Sequence, residues 1–395
     1  MTAQRVAIVG GGPSGALCAE RLASAGFEVT VYDEHLAWEK PCGGGLTHKA
    51  LRSYPFLLDG PYPKKSIHRV DLISGNGDRA HLSLDHPIVI YSRAVLNGLL
   101  LERAASAGCR IVRSHVRSVD FAGKSPSFAA EGVTHKTDFL ILASGARNAF
   151  FPCTRPFAPE DLEITIGYFV PSCADAIQVK FVRGLQGYIW SFPRPDHLSV
   201  GICGNMARHA SRELHGYLAE FLREERISVC AARFYSHVLP SPRARTLASR
   251  RIAGRNWALI GDAAGWVDPI TGEGLYYALR SGELLAQSLI SGQPEAYPRR
   301  VRHDFSADLE IAARIARRFY HGHFLGSAVT TRMIQFMDRS ATFRSLIGDL
   351  FSGAQNYASL KGRLWGQFGD TLGEFIESIF RPAKSTTPRP SPEDA

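Results

Sequence analysis

Residues 6 to 33 leave this chain few folds to choose from. Val6-Ala7-Ile8-Val9 is a short apolar run of the kind that a parallel sheet buries on both faces. Gly10-Gly11-Gly12-Pro13-Ser14-Gly15 follows at once and opens a helix, and Glu28-Val29-Thr30-Val31-Tyr32 reads as a second strand closing on Asp33. Strand, glycine turn, helix and second strand, with an acid about 20 residues beyond the glycines, make a dinucleotide-binding unit. Gly10, Gly12 and Gly15 allow the tight turn, the approach of a pyrophosphate and close packing of helix on strand. Pro13 and Ser14 start the helix, whose positive end faces the phosphates. Asp33, or Glu34 next to it, is placed to accept hydrogen bonds from an adenosine ribose.

Just downstream lies Lys40-Pro41-Cys42-Gly43-Gly44-Gly45-Leu46. Three successive glycines let the backbone lie flat against a ligand, and the cysteine stands where a bound dinucleotide would extend its reactive ring. A second glycine-rich element narrows the ligand. Gly261-Asp262-Ala263-Ala264-Gly265 follows a strand, and Asp268-Pro269-Ile270-Thr271-Gly272-Glu273-Gly274 precedes a helix. A carboxylate at Asp262 suits a ribityl hydroxyl, which a flavin has and a nicotinamide lacks. The helix from Gly274 aims its positive end at the flavin pyrimidine, where reduction places negative charge. The two elements together point to FAD.

The rest of the chain divides around this unit. Ile67–Ser74 and Arg79–Leu84 alternate about Gly75-Asn76-Gly77, a hairpin signal. Tyr91-Ser92-Arg93 leads into a helix from Ala94 to Ala107, and Asp138–Ala143 is a buried strand ending in Ser144-Gly145-Ala146. Glu163–Val170, Ile177–Val182, Gly187–Phe192 and Leu198–Cys203 read as an antiparallel sheet, followed by a helix near Glu213–Arg223. Beyond Pro298 the chain turns helical and arginine-rich. The fold class is therefore α/β. A discontinuous Rossmann-like FAD-binding domain takes residues 1–65, 88–160 and 245–298, and an antiparallel-sheet substrate domain takes 66–87 and 161–244. A C-terminal helical cap (299–381) and a disordered tail (382–395) complete it.

Composition excludes several classes. Apolar residues at 45% and charged residues at 21% are ordinary for a globular protein. No run approaches the ~20 apolar residues of a membrane span, and the first strand begins almost at the N-terminus with no signal peptide, so the expected location is cytoplasmic. Seven cysteines without any Cys-x-x-Cys spacing suggest reduced thiols, with neither disulfides nor zinc. His321 and His323 are two apart, the wrong spacing for ligands on one helical face, so no metal is expected. The net charge of +9 comes without a basic stripe interleaved with aromatics, which argues against nucleic acid and for an anionic membrane surface or a phosphorylated substrate.

These residues together resemble the geranylgeranyl reductase family, within the larger flavoprotein group of aromatic hydroxylases and flavin-dependent halogenases. The resemblance runs from residue 5 to about 380. Two motifs single out the family. Lys40-Pro41-Cys42-Gly43-Gly44 matches its glycine–cysteine loop, and Gly187-Tyr188-Ile189-Trp190-Ser191-Phe192-Pro193 matches its Tyr-x-Trp-x-Phe-Pro motif. Tyr357, Leu360, Lys361 and Leu364 resemble its helical end, whereas Leu185 stands where the family often has proline. The resemblance implies that Arg93 contacts the FAD phosphates and that Lys40, Cys42, Gly43, Gly44 and Gly145 also border the cofactor.

The implied activity is saturation of carbon–carbon double bonds in a geranylgeranyl-type isoprenoid chain on a lipid, quinone or pigment precursor. On a strand, Tyr188, Trp190 and Phe192 share one face and Pro193 ends it, giving an aromatic wall for such a chain. Saturation needs a hydride from reduced flavin and a proton. The Cys42 thiol is the expected donor and Tyr188 its rival, with Trp190 beside them. A single dinucleotide unit makes NAD(P)H a transient visitor, or else a reduced ferredoxin or quinol supplies electrons, and the basic surface suits an acidic donor protein. A waxy substrate implies peripheral contact with the inner face of a membrane through the arginine-rich helices. The alternative is a flavin-dependent monooxygenase or halogenase on a hydrophobic or aromatic substrate. Hydroxylases of the group carry Asp-Gly where this chain has Ser144-Gly145, and the halogenase Trp-x-Trp-x-Ile-Pro is approached but not met.

Overall fold

The computed structural model describes residues 4–147, 150 and 156–368; Cys153, the end of the helical region and the proline-rich tail lie outside the described residues. β1 (Arg5–Val9) and β2 (Glu28–Asp33) are parallel neighbours, joined by α1 (Pro13–Ser24). Proline occupies the first turn of α1, where a missing N–H costs nothing, and Ala16, Leu17, Ala19 and Leu22 bury its inner face. β10 (Phe139–Leu142), buried throughout, pairs on the other side of β1. With β16 (Trp257–Leu259) beyond β10 and β6 (Arg110–Arg113) beyond β2, the sheet is five-stranded and parallel. Helices α3 (Arg93–Ser106) and α6 (Leu275–Ile290) pack against α1. A small antiparallel sheet of β7 (Ser118–Asp120), β8 (Ser127–Ala130) and β9 (Val133–Lys136) sits between β6 and β10 in sequence.

The second sheet has eight strands. In spatial order they are β15 (Arg233–Pro240), β11 (Leu162–Val170), β14 (Leu198–Asn205), β13 (Ile189–Pro193), β12 (Ile177–Lys180), β4 (Lys64–Ile73), β5 (Arg79–Tyr91) and β3 (Gly45–Leu46). Ser74 Oγ donates to Asp78 Oδ2 at 2.7 Å and Gly77 takes φ +90°, closing the β4–β5 hairpin where the Asn-Gly signal lies. Two features depart from the sequence reading. β15 is an additional strand, and β12 pairs with β4 in parallel, so the sheet is mixed. β4 ends at Ile73 and β12 begins only at Ile177, with α3 and the strands β6 to β11 between them, and no hairpin dictates their relative direction.

The outer face of this sheet is covered by α4 (Ser211–Glu224), whose Leu214, Leu218 and Phe221 pack on Ile166, Val200 and Ile202. Short helices α2 (His48–Ser53), α5 (Ala244–Ser249) and α7 (Tyr297–Val301) are connectors. α8 (Ala307–His321), a hairpin of β17 (His323–Phe324) and β18 (Ser327–Ala328), α9 (Val329–Arg339), α10 (Ala341–Ser352) and α11 (Tyr357–Phe368) form the helical cap. Its Phe319, Met333, Phe343 and Leu346 close over Val70, Leu82, Val179 and Phe181. Among the described residues, no helix is long and apolar enough to cross a membrane.

Candidate active site

A cavity of about 720 Å³ runs from the C-terminal ends of β1 and β2 to the inner face of the eight-stranded sheet, large enough for a cofactor-sized ligand. Its floor is the first glycine turn. Gly10 holds φ +110°, and a Cβ there would lie 2.3 Å from the Ala143 carbonyl oxygen. A Cβ on Gly15 would lie 2.0 Å from the Gly10 oxygen. Gly12 meets nothing and lines the cavity with Pro13 and Ser14. No side chain caps α1, which leaves its N-terminal amides for an anion. Asp33 accepts from the Gly11, His35 and Leu36 amides at 2.6, 2.8 and 2.7 Å. It braces the turn and keeps about one of its four acceptor sites for a ribose. Glu34, more exposed, pairs with His115 at 3.0 Å. Gly145 lines the cavity at φ +79°.

The glycine–cysteine loop is clamped by residues that the sequence did not single out. Arg194, 0% exposed, donates to both the Glu39 carboxylate and the Cys42 carbonyl oxygen. Ser199 Oγ donates to the same carbonyl at 2.8 Å. Glu39 also accepts from the Arg93 and Ala94 amides at 2.9 and 3.2 Å, and so caps α3 and sets Arg93 in place. All three glycines make room for protein, Gly45 among them, where a Cβ would come within 3.0 Å of the Ile88 side chain. A Cβ on Gly43 would come within 3.0 Å of the Phe192 ring, and one on Gly44 within 2.3 Å of the Tyr91 carbonyl oxygen. The Gly44 amide donates to Cys42 Sγ at 3.3 Å.

Lys40 and Asp262, 222 residues apart, meet at 2.9 Å in the cavity wall. Burial alone would raise the Asp262 carboxyl, but the charges of Lys40 and Arg93 hold it below its usual range. His237 of β15 is pushed down to about 3 by burial and by Lys40, so it is neutral at physiological pH. Gly261 lies behind this wall, where a Cβ would approach Ser14 Oγ to 2.6 Å.

The loop ahead of α6 is held from three sides. Tyr188 donates to the Thr271 oxygen at 2.7 Å, Tyr320 to the Ile270 oxygen at 2.6 Å and Tyr357 to Asp268 at 2.8 Å. Gly272, at φ +72°, lets the Tyr188 hydroxyl through, since a Cβ would lie 2.2 Å from it. Gly274 starts α6 and Glu273 accepts from the Tyr276 amide at 2.8 Å, while Pro269 is buried within the loop. Gly272 and Gly274 line the cavity.

The ceiling changes chemistry strand by strand. β15 and β11 present His237, Thr165 and Glu163, and β13 with its leading residue presents Tyr188, Trp190 and Phe192. Pro193 ends that strand off the cavity. Past Tyr188 and Phe192, a smaller apolar space of about 40 Å³ lies among Val70, Ile177, Val179, Phe181 and Phe351. Of the residues anticipated, then, most converge on one cavity, and Gly15, Gly261, Pro269 and Pro193 support it from behind. His237 and Glu163 join them unannounced, polar residues in runs whose pattern shows only strand, while Glu39 and Arg194 brace the glycine–cysteine loop from behind.

The donor set suits FAD. Arg93 Nε is buried without a hydrogen-bond partner, an open donor at a cavity whose near end is an uncapped helix. An anionic phosphate satisfies both, and the ionised Asp262 suits a polyol.

Residues 8–49 match the NAD(P)-binding Rossmann-like domain family. The chain is 27% identical over 332 residues to a geranylgeranyl diphosphate reductase of Synechocystis sp., covering 73% of this chain and 75% of the relative. It is 29% identical over 344 residues to a menaquinone reductase of Mycolicibacterium smegmatis, covering 79% and 83%. The structure superposes with a TM-score of 0.75 on a geranylgeranyl bacteriochlorophyll reductase-like protein of Thermoplasma acidophilum, at 18% identity and over 95% of this chain and 100% of the other. With a cavity whose donor set suits a flavin dinucleotide and whose wall is the Tyr-x-Trp-x-Phe-Pro strand, the chain is an FAD-dependent oxidoreductase that is similar to the geranylgeranyl reductases.

Proposed function

We propose that this protein saturates carbon–carbon double bonds of an isoprenoid chain carried on a lipid, quinone or pigment precursor. One observation carries the reading. The aromatic wall of Tyr188, Trp190 and Phe192 opens directly into an apolar space under the helical cap, a path with hardly any hydrogen-bonding groups. A polyprenyl chain has the same character along most of its length. The names of the Synechocystis and Mycolicibacterium relatives, a geranylgeranyl diphosphate reductase and a menaquinone reductase, support the same class of substrate.

Bound FAD, once reduced, supplies the hydride equivalent. The chain's own residues hold and shield the reactants. Gly10, Gly12, Ser14 and Arg93 take the pyrophosphate, Asp33 and Glu34 the adenosine ribose, Lys40 and Asp262 the polyol. The loops at Cys42–Gly44 and Gly272–Gly274 border the ring. Cys42, Tyr188 and Trp190 are set against the reacting double bond, and the helical cap keeps water from it. Electrons come from NAD(P)H or from a reduced ferredoxin or quinol.

The test is anaerobic. Dithionite-reduced protein is incubated with geranylgeranyl diphosphate and with menaquinone, and products are weighed by mass spectrometry. Gains of two hydrogens on either isoprenoid are expected; unchanged masses on both would overturn the reading.

We infer further that the protein acts in the cytoplasm and collects its substrate from the inner membrane face by peripheral contact. Arg314 and Arg317 are exposed on α8, and Leu325 is 64% exposed at the tip of the β17–β18 hairpin. Flotation with vesicles containing anionic lipid should carry the protein upward at low salt, and sedimentation with the soluble fraction would remove the proposal.

A further inference from the structure

The ceiling holds a carboxyl group that the reading above does not use. Glu163, the second residue of β11, is 6% exposed and lines the cavity. In register it faces Asn205 on β14 and Leu239 on β15. Its carboxyl lies beside the Ser241 hydroxyl and the Cys203 thiol, and among the described residues it has no ion-pair partner. The nearby cations are committed elsewhere. Arg243 takes Asp161 at 2.9 Å, two residues before Glu163, and Lys40 takes Asp262 at 2.9 Å. The other titratable groups around it are Cys203 of β14, Tyr188 ahead of β13, Tyr320 of α8, Asp268 and Cys42 of the two loops, and His237 of β15. None of these supplies a positive charge, since His237 is neutral. Burial accordingly pushes Glu163 up to about 7.

The donors suggested by the sequence are less well placed. The Tyr188 proton is engaged on the Thr271 oxygen, and burial, with Cys203, Glu163 and Cys42 nearby, holds that hydroxyl well above the usual tyrosine range. The Cys42 sulfur accepts the Gly44 amide.

We propose that Glu163 is the acid from which the saturated chain takes its second hydrogen. The π pair of the double bond forms a C–H bond to the Glu163 proton as the carboxyl O–H bond breaks. The neighbouring carbon takes a hydride, with its electron pair, from the reduced flavin. Glu163 is left as a carboxylate and regains a proton from water. The proposal rests on isoprenoid reduction being the activity.

The experiment compares FAD-loaded wild type with Glu163→Gln, which keeps the shape and removes the acidic proton. In wild type the rate of isoprenoid reduction should fall as pH rises through about 7, the sign required of a group active in its protonated form. Glu163→Gln should lose about 10²–10⁴-fold at neutral pH and lose that limb of the profile. An infrared pH-difference spectrum gives a readout independent of turnover. A protonated-carboxyl band should disappear near pH 7 in wild type and lose intensity in Glu163→Gln, the remainder belonging to Glu273, which burial also pushes up to about 7. A Glu163→Gln variant that keeps the full intensity of the wild-type band, or keeps both rate and limb, overturns the proposal. So does a profile flattened by Cys42→Ser but not by Glu163→Gln, which would make the thiol the acid. Wild type that reduces no isoprenoid at any pH instead brings down the function itself, so the two failures can be told apart.

Discussion

Gly15→Ala should yield a colourless protein. The added methyl would sit 2.0 Å from the Gly10 carbonyl oxygen, and that oxygen cannot retreat because Gly10 is itself pressed on the Ala143 carbonyl. Nor can α1 lift away. A Cβ on Gly282 of α6 would lie 2.4 Å from the Ser14 oxygen, so the two helices are already in backbone contact on the other side. The clash must shift the N-terminus of α1 and with it the amides that meet the pyrophosphate. Overpacking of this kind costs about 1–3 kcal/mol in stability, and the loss in cofactor affinity adds to it. Flavin absorbance per mole of purified protein and the urea midpoint measure the two effects. A yellow variant with an unchanged midpoint would show that the turn is not the cofactor's seat.

Arg194→Met is expected to be the most destabilising single change in the ceiling. Burial drags the Arg194 guanidinium down to about 10, and a buried ion pair as a whole adds little once both charges have been desolvated. Removing one partner is a different matter. Glu39 would keep a largely buried negative charge with only the Arg93 and Ala94 amides and the Ser92 hydroxyl to answer it, and breaking buried pairs in this way costs about 3–5 kcal/mol. The Cys42 carbonyl would also lose one of its two donors, freeing the glycine–cysteine loop. Arg194→Lys should not rescue, because one ammonium cannot reproduce a planar fork that spans a carboxylate and a carbonyl. Glu39→Gln with Arg194→Met should recover part of the loss in urea unfolding. If the single and double variants unfold alike, the pair is not coupled as described.

What the sequence made legible were elements whose residues specify a backbone path. The Val6–Gly15 run and Asp33 dictated a strand, a turn and a helix regardless of their surroundings, and the Asn-Gly hairpin at residues 76 and 77 behaved likewise. Alternation at Tyr188, Trp190 and Phe192 likewise foretold a shared face. Periodicity says which side of an element is inward and is silent about what lies opposite. Hence the glycines at 43 and 44 looked like clearance for a ligand, while the molecule uses them to admit Phe192 and Tyr91. Glu39, Arg194 and Glu163 are charged residues in the interior, each made tolerable by partners far along the chain, and a linear pattern assigns such residues to solvent. β15 was missed for a related reason: Arg233, Phe234, Ser236 and His237 alternate poorly, because neither face of that edge strand is uniformly apolar.

The three tyrosine hydroxyls that grip the loop ahead of α6 come from the residue leading into β13, from α8 and from α11. Alterations in the final helices therefore reach the flavin's edge as directly as alterations in the loop itself. A chimera that exchanged the cap for that of a relative, with the aim of changing chain-length preference, would also retune the seat of the cofactor. Tail geometry and ring environment in this architecture are one inheritance, and are best transplanted together.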